Sequence, residues 1–389
     1  MTNRYFSAFF ILFLNPITLF ANSPALDFST MPIAKPPAIA ANAYILQDFH
    51  SGQILAEHNI DTPVEPASLT KMMTIYVLDV EMARGTISPN ATALVSEHAW
   101  RTEGSRMFLD LNTEVPIKEL QQGVIIQSGN DASVTIAERI AGSESAFAEM
   151  MNYQAQQLGM TNSHFTNATG LPDPGLYTTA RDMATLARAM IKNFPESYQI
   201  YQQKEFFYNN IKQQNRNRLL WRDNTVDGIK TGHTSSAGYC LVASAERQGM
   251  RLIAVVLGAE SDSSRAEQAQ TLLNYGFRVF RTEELAQKNQ VISEMPIWKG
   301  SKSILPIGFN EDAYVTVPQG QAKLETAVSV KPELIAPIPA GTPVGVMQVK
   351  LNGEVIAEQP VVALETIEKG SLWRRFIDTI KLFFKHLIA

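Results

Sequence analysis

The sequence predicts an α/β domain, then a small all-β domain, then a C-terminal amphipathic helix. Three observations carry this reading. Short apolar runs stand near both ends of the first 281 residues, with helical periodicity between them. From about Thr282 the helical period fades, and prolines punctuate short β-prone runs. The last 18 residues place bulky apolar side chains on one face of a helix. At ~150 residues per domain, 389 residues suit two or three domains. No repeat of fixed period is present.

In the first 21 residues Arg4 is the one charged side chain, and Tyr5 to Leu14 form a largely apolar run. That run is about half the length that spans a bilayer, so residues 1–21 read as a secretory signal peptide with cleavage near Ala21. An uncleaved anchor or a buried strand is the alternative. No cysteine follows the run, which excludes a bacterial lipoprotein. Residues 22–37 are a Pro- and Ala-rich lead-in.

The first folded domain is expected to span 38–281. Ala43–Gln47 and Gln53–Glu57 flank Asp48-Phe49-His50-Ser51-Gly52 and read as a β-hairpin. Ala67 to Ala83 is helical, with Pro66 at its start and Gly85 beyond its end. Further helical patterns cover 118–127, 131–141, 144–158 and 180–193. Tyr239–Ala245 and Leu252–Leu257 read as two strands joined through Arg247-Gln248-Gly249, and Ala266–Phe280 is helical again. Strands at both ends predict one sheet closed by its first and last segments. The β-rich domain is expected over 282–368, with runs such as Tyr314–Val317, Thr326–Val330 and Gly345–Leu351.

Residues 371–389 carry Leu372, Trp373, Phe376, Ile377, Ile380, Phe383, Phe384, Leu387 and Ile388 on one face, opposite Arg374, Arg375, Asp378, Lys381 and Lys385. Such a face with Trp and Phe, opposite a net basic one, is that of a helix lying in a membrane interface. Packing on the β domain is the alternative.

Composition narrows the function. Charge nearly balances, 33 Lys+Arg against 38 Asp+Glu, a formal −5, which argues against nucleic acid as a partner. The chain is 45% hydrophobic and 18% charged, too apolar for disorder. Cys240 is the sole cysteine, so internal disulfides, zinc ribbons and Fe–S sites are excluded. It lies in an apolar strand and reads as a core residue. His50, His58, His98, His164 and His386 show no metal spacing, and no metal or cofactor is implied.

Three short motifs carry chemistry. Ser68-Leu69-Thr70-Lys71 opens the first long helix, and i,i+3 spacing puts Ser68 and Lys71 on one face. A serine at a helix N-terminus sits in positive potential, which favours its alkoxide, and a lysine serves as its base only if its pKa is lowered. About one chance Ser-x-x-Lys is expected in a chain this long. Ser128-Gly129-Asn130 follows between helices, with a hydroxyl and an amide that could relay protons; taken alone, these are turn residues. Lys230-Thr231-Gly232 precedes the strand pair, where a cation and a hydroxyl on a strand edge suit a carboxylate and Gly232 leaves room for a substrate backbone. A polar turn is the alternative.

The ordered set Ser-x-x-Lys, Ser-x-Asn, Lys-Thr-Gly resembles the signature of penicillin-binding proteins and class A β-lactamases, with Gly129 where that pattern has Asp. Around Pro66–Thr74, Gln127–Ala132, Thr179–Met183 and Val226–Ala237 the chain resembles the low-molecular-mass penicillin-binding proteins that are D-alanyl-D-alanine carboxypeptidases. The resemblance runs from about residue 38 to 389. It implies a penicillin-binding, β-lactamase-like transpeptidase domain with a central antiparallel sheet flanked by helices. It also implies a serine D,D-carboxypeptidase that trims peptidoglycan stem peptides and is acylated by β-lactams. Carried over, Ser68 is the nucleophile and Lys71 its base, with Lys230 as the cation that lowers the Lys71 pKa. Ser128 and Asn130 relay the proton and hold the substrate amide. Thr231 and Arg216 meet the terminal carboxylate, and the backbone N–H groups of Ser68 and His233 form the oxyanion hole. For Arg216 an exposed loop charge is the alternative. The expected location is the periplasmic face of an inner membrane.

Two other readings compete. A class A β-lactamase needs a glutamate in the loop after the second motif, and Asp173 is the only acid in Asn167–Tyr177. A catalytically idle envelope scaffold would not need all three motifs intact.

Overall fold

The computed structural model describes residues 34–88, 90–320 and 324–388. The expected signal peptide and most of the expected lead-in lie outside the described residues. The first domain is built on a five-stranded antiparallel sheet of β1 (Ala43–Asp48), β2 (Ile54–His58), β3 (Val226–Thr234), β4 (Gly238–Arg247) and β5 (Met250–Ala259), in spatial order β2-β1-β5-β4-β3. First and last segments meet where Ala43 to Asp48 pair with Leu257 to Leu252, as the apolar runs at both ends predict.

Both faces of the sheet are covered, which is why Leu252–Leu257 reads as an unbroken apolar run. Alternate residues serve different cores. Ile253, Val255 and Leu257 pack towards α1 (Thr70–Ala83), α2 (Asn130–Ala141), α3 (Glu144–Gln157) and α4 (Ala180–Asn193), while Leu252, Ala254 and Val256 pack against α5 (Asp262–Val279). From Thr70 to Asp79 α1 is buried all round, as expected of a helix inside the domain rather than on its surface.

Four local expectations shift. Ala67–Leu69 is a 3₁₀ turn, and the α-helix begins at Thr70. Gly123–Gln127 is a π turn that delivers the chain to Ser128. The third motif lies on an edge strand, as expected, but that strand, β3, is longer than the motif and runs over Val226–Thr234. Phe280 begins a strand, Phe280–Ala286, that runs across the expected boundary at 281/282.

That strand pairs with Ala313–Pro318, beside a second five-stranded antiparallel sheet whose spatial order is Val291–Pro296, Ile304–Gly308, Glu354–Ala363, Pro343–Leu351, Leu324–Val330. Leu305, Ile307, Val344, Val361 and Ile367 fill its core. The two domains touch through Thr282 Oγ1, which donates to Asp48 Oδ2 at 2.7 Å, and through Lys192 and Glu311 at 2.7 Å.

The last helix, α6 (Leu372–Ile388), docks on the β domain by its polar side. The Lys299 N–H donates to buried Asp378 Oδ2 at 2.7 Å, His386 Nε2 meets Glu333 at 2.6 Å, and Leu382 is buried. Leu372, Trp373, Phe376, Ile380, Phe383, Phe384 and Leu387 are exposed, whereas Ile377 is half-buried. No helix among the described residues is long and apolar enough to cross a membrane.

Candidate active site

Three chain segments converge between the all-helical side of the first domain and the edge strand β3. The first is the 3₁₀ turn that carries half-buried Ser68. Its neighbour Ala67 sits at φ 48°, a left-handed conformation uncommon for a residue with a side chain. One turn on, Lys71 is 1% exposed, and its Nζ donates to Ser68 Oγ at 3.1 Å and to the Thr169 carbonyl at 2.5 Å. The i,i+3 spacing thus places the amine on the hydroxyl.

The second segment is the end of the π turn. Ser128 is buried, also at positive φ (65°), and its Oγ accepts from Lys230 Nζ at 3.0 Å. Asn130 is buried, with Nδ2 donating to the Glu103 carbonyl at 2.5 Å. A Cβ on Gly129 would stand 2.9 Å from Asp131 Oδ1 and 3.0 Å from Met107 N, so the wall behind the motif leaves little space for a side chain there.

The third segment is β3. Lys230 and Thr231 are buried, and Lys230 Nζ also donates to the Thr231 carbonyl at 3.0 Å. Gly232 has a packing role within the fold. A Cβ there would meet the Pro66 carbonyl at 3.0 Å, Leu69 Cγ at 3.2 Å and Ala67 Cβ at 3.3 Å, so the glycine lets the strand lie against the turn that carries Ser68.

The electrostatics follow from burial. Desolvation, assisted by the positive field of Arg216, lowers the Lys71 ammonium to about 7, against the opposing pull of Asp131 and Glu144. Lys230 is pushed well below its ordinary value by burial, then by Lys71, Arg216 and Arg265. Burial thus drives both ammonium groups towards neutrality; the positive charge of Arg216 acts on each of them, and Lys71 and Lys230 lie close enough to act on one another.

Arg216 and His233 are exposed and line a cleft of about 780 Å³ that adjoins the motifs through β3. The His233 ring lies 4.0 Å from that of Tyr239. The structure thus brings Ser68, Lys71, Ser128, Asn130, Lys230, Thr231 and Gly232 to one locus, with Arg216 and His233 at its mouth.

Sequence reasoning missed four supports. Buried Asp131 accepts the backbone N–H groups of Met107, Phe108 and Leu109 at 2.8, 2.9 and 3.2 Å and so fixes the wall facing Gly129. Arg265 donates to the Gly232 carbonyl at 2.9 Å and ties β3 to α5. The Thr169 carbonyl, 98 residues from Lys71, supplies the lysine's second acceptor. Glu144 accepts from the Ala168 N–H at 2.9 Å and meets His98 at 3.3 Å, so a glutamate from outside the loop braces it. Asp131 alone carried a signal, through its place beside the Ser128 motif. Cys240 is buried in β4, where burial raises its thiol to about 11, as suits a core residue.

The geometry agrees with comparisons to known proteins. Residues 30–261 match the D-alanyl-D-alanine carboxypeptidase family model, and residues 280–369 match that of the penicillin-binding protein 5 C-terminal domain. The chain is 42% identical to the D-alanyl-D-alanine carboxypeptidase DacC of Escherichia coli (strain K12) over 366 residues, 92% of each chain. Penicillin-binding protein 5 from Haemophilus influenzae superposes with TM-score 0.83 at 41% identity, covering 86% of this chain and 100% of that one. Penicillin-binding protein D2 from Listeria monocytogenes, solved in an ampicillin-bound form, superposes with TM-score 0.57 at 29% identity over 62% of this chain and 100% of its own.

Proposed function

The chain belongs to the D-alanyl-D-alanine carboxypeptidase family, and from that premise we propose how its own residues carry out the hydrolysis. It is a serine-type D-alanyl-D-alanine carboxypeptidase, a penicillin-binding hydrolase of cell-wall peptides. The observation that carries the mechanism is the buried Lys71 Nζ, 3.1 Å from Ser68 Oγ.

With its pKa near 7, a neutral Lys71 accepts the Ser68 proton. Ser68 Oγ adds to the carbonyl of the penultimate D-alanine, and the Ser68 and His233 backbone N–H groups hold the oxyanion. The amide C–N bond breaks. The leaving amine takes its proton through Ser128, which Lys230 holds in place, while Asn130 positions the substrate amide. Water then cleaves the Ser68 ester. Thr231 and Arg216 receive the free carboxylate that marks a C-terminus, the feature a carboxypeptidase must read. β-Lactams acylate the same serine. Both Glu144 oxygens are engaged, by Ala168 and His98, which favours peptide trimming over efficient β-lactam hydrolysis.

The proposed organisation is a signal peptide at 1–21, a lead-in at 22–37, a catalytic domain at 38–281, a β domain at 282–368 and an interfacial helix at 371–389. The exposed apolar side of α6 supports residence on the periplasmic face of an inner membrane, reached by export. Ser68→Ala tests the chemistry. It is expected to abolish both fluorescent-penicillin labelling and D-alanine release from a Lys-D-Ala-D-Ala peptide while the protein stays folded by circular dichroism. Covalent labelling at another serine would refute the assignment.

A further inference from the structure

The cleft beside β3 holds more positive charge than one substrate carboxylate requires. Four guanidinium groups line it, those of Arg216, Arg218, Arg222 and Arg265, against a single carboxylate, Asp262. Asp262 is already shared as an ion-pair partner by Arg218 and Arg265. Among the described residues neither Arg216 nor Arg222 forms an ion pair, and Arg216 feels Asp262 only at longer range. This concentration stands out in a chain of net charge −5. Its volume of about 780 Å³ far exceeds the methyl group of D-alanine, and Trp221, 45% exposed, forms part of its wall.

We propose that this cleft is a leaving-group subsite for a second anion, so that the enzyme also releases C-terminal D-residues whose side chains carry a carboxylate. The inference rests on the reading that Arg216 meets the terminal carboxylate. The α-carboxylate then lies between Thr231 and Arg216, and the side chain of the C-terminal residue points past Arg216 towards Arg222. There a carboxylate meets an unpaired, exposed guanidinium that a planar oxyanion can engage with two hydrogen bonds. The chemistry is unchanged: the same amide C–N bond breaks, the same Ser68 ester forms, and only the departing amine differs.

The test compares N-acylated tripeptides ending in D-Ala-D-Ala, D-Ala-D-Glu, D-Ala-D-Gln and D-Ala-D-Lys, with kcat/KM as the readout. D-Gln matches D-Glu in shape and lacks only the charge. The wild-type enzyme is expected to favour D-Glu over D-Gln by about five- to tenfold at low salt, falling towards parity at high salt. Arg222→Gln lies on the surface of the short turn Leu219–Arg222, so it should fold normally. It is expected to bring the ratio to about one while leaving D-alanine release within twofold. Arg222→Glu should shift the preference to D-Lys. Equal rates for D-Glu and D-Gln in the wild-type protein, or a ratio that survives both substitutions, would overturn the proposal. Failure of the underlying reading looks different: D-alanine release would then persist in Ser68→Ala, or stay unchanged in Arg216→Gln.

Discussion

At the catalytic locus two lysines, 1% and 3% exposed, sit among packed side chains; at the other end of the chain Leu372 is 81% exposed and Trp373 71%. Ionisable groups are inside and apolar surface is outside, the reverse of what solvation prefers. In each place the rest of the structure sustains the inversion. Thr169, Ser68, Ser128 and Thr231 give the lysines oxygen acceptors, and burial lowers the pKa of both. Asp378, Leu382 and His386 pin α6 by its polar side, so its apolar side can only face outwards. Neither region is arranged for stability. The cleft gives up solvation to keep an amine near neutrality, and the helix does so to keep a greasy face free.

The largest effect expected on this contrast comes from Lys71. Lys71→Arg should lower acylation by several orders of magnitude, because a guanidinium keeps its proton at working pH. Near-normal labelling would refute the base. In the wild-type protein kcat/KM is expected to rise with pH through about 7, as Lys71 loses its proton and becomes able to act as the base. Lys71→Met sharpens the point by trading activity for stability. The lysine's folded pKa, about 7, lies below its ordinary 10.5, so its burden on the fold is absent above about 10.5, grows as the pH falls and is full below about 7. The stability gain from Lys71→Met, followed as Tm, should therefore be largest at acidic pH and shrink towards pH 10. A gain independent of pH would mean that packing, rather than charge, sets it.

What was legible in the sequence divides along the same line. Ser68 with Lys71 was readable because helical spacing alone makes them neighbours, and the tail because its amphipathic period survives without any partner. Arg265 and Glu144 were not, and Asp131 only by its place beside the Ser128 motif, because each acts through backbone groups brought close only by the fold, from Gly232, Ala168 and Met107. The strand edge at Lys230-Thr231-Gly232 was legible, but not the full extent of Val226–Thr234, since its Gly, Lys, Thr and His residues break the apolar pattern that its neighbours β4 and β5 display. The sequence also could not say that α6 both docks and stays apolar outwards. Its docking contacts come from Lys299 and Glu333, remote in the chain.

Truncation after Gly370 probes the other half of the comparison, with an intermediate effect. Each of the exposed large side chains contributes on the order of 1 kcal/mol or more on entering an interface, and the basic residues add attraction to anionic lipid. Partition onto anionic phospholipid vesicles should fall by about a hundredfold or more, while kcat/KM on small peptides stays unchanged, because the motif residues all lie before residue 234. Retained vesicle binding, or lost peptide hydrolysis, would mean that the helix is a structural part of the folded body.

The smallest effect expected is that of Asp378→Asn, which separates docking from membrane affinity. Asp378 is 9% exposed and accepts the Lys299 N–H at 2.7 Å. Asparagine keeps one acceptor oxygen and loses the charge, so the contact weakens by about 1 kcal/mol rather than vanishing. The helix keeps Leu382 and the His386–Glu333 contact, so it stays docked most of the time. Local opening should become several-fold more frequent, seen as faster hydrogen exchange of amides in Leu372–Ile388 with the two sheets unaffected. Vesicle partition should not change, because Trp373, Phe376, Phe383 and Phe384 lie on the opposite side and keep their exposure. If partition fell together with exchange protection, the apolar face would depend on docking to be presented. If exchange did not change at all, Asp378 would not be the residue that holds the helix to the β domain.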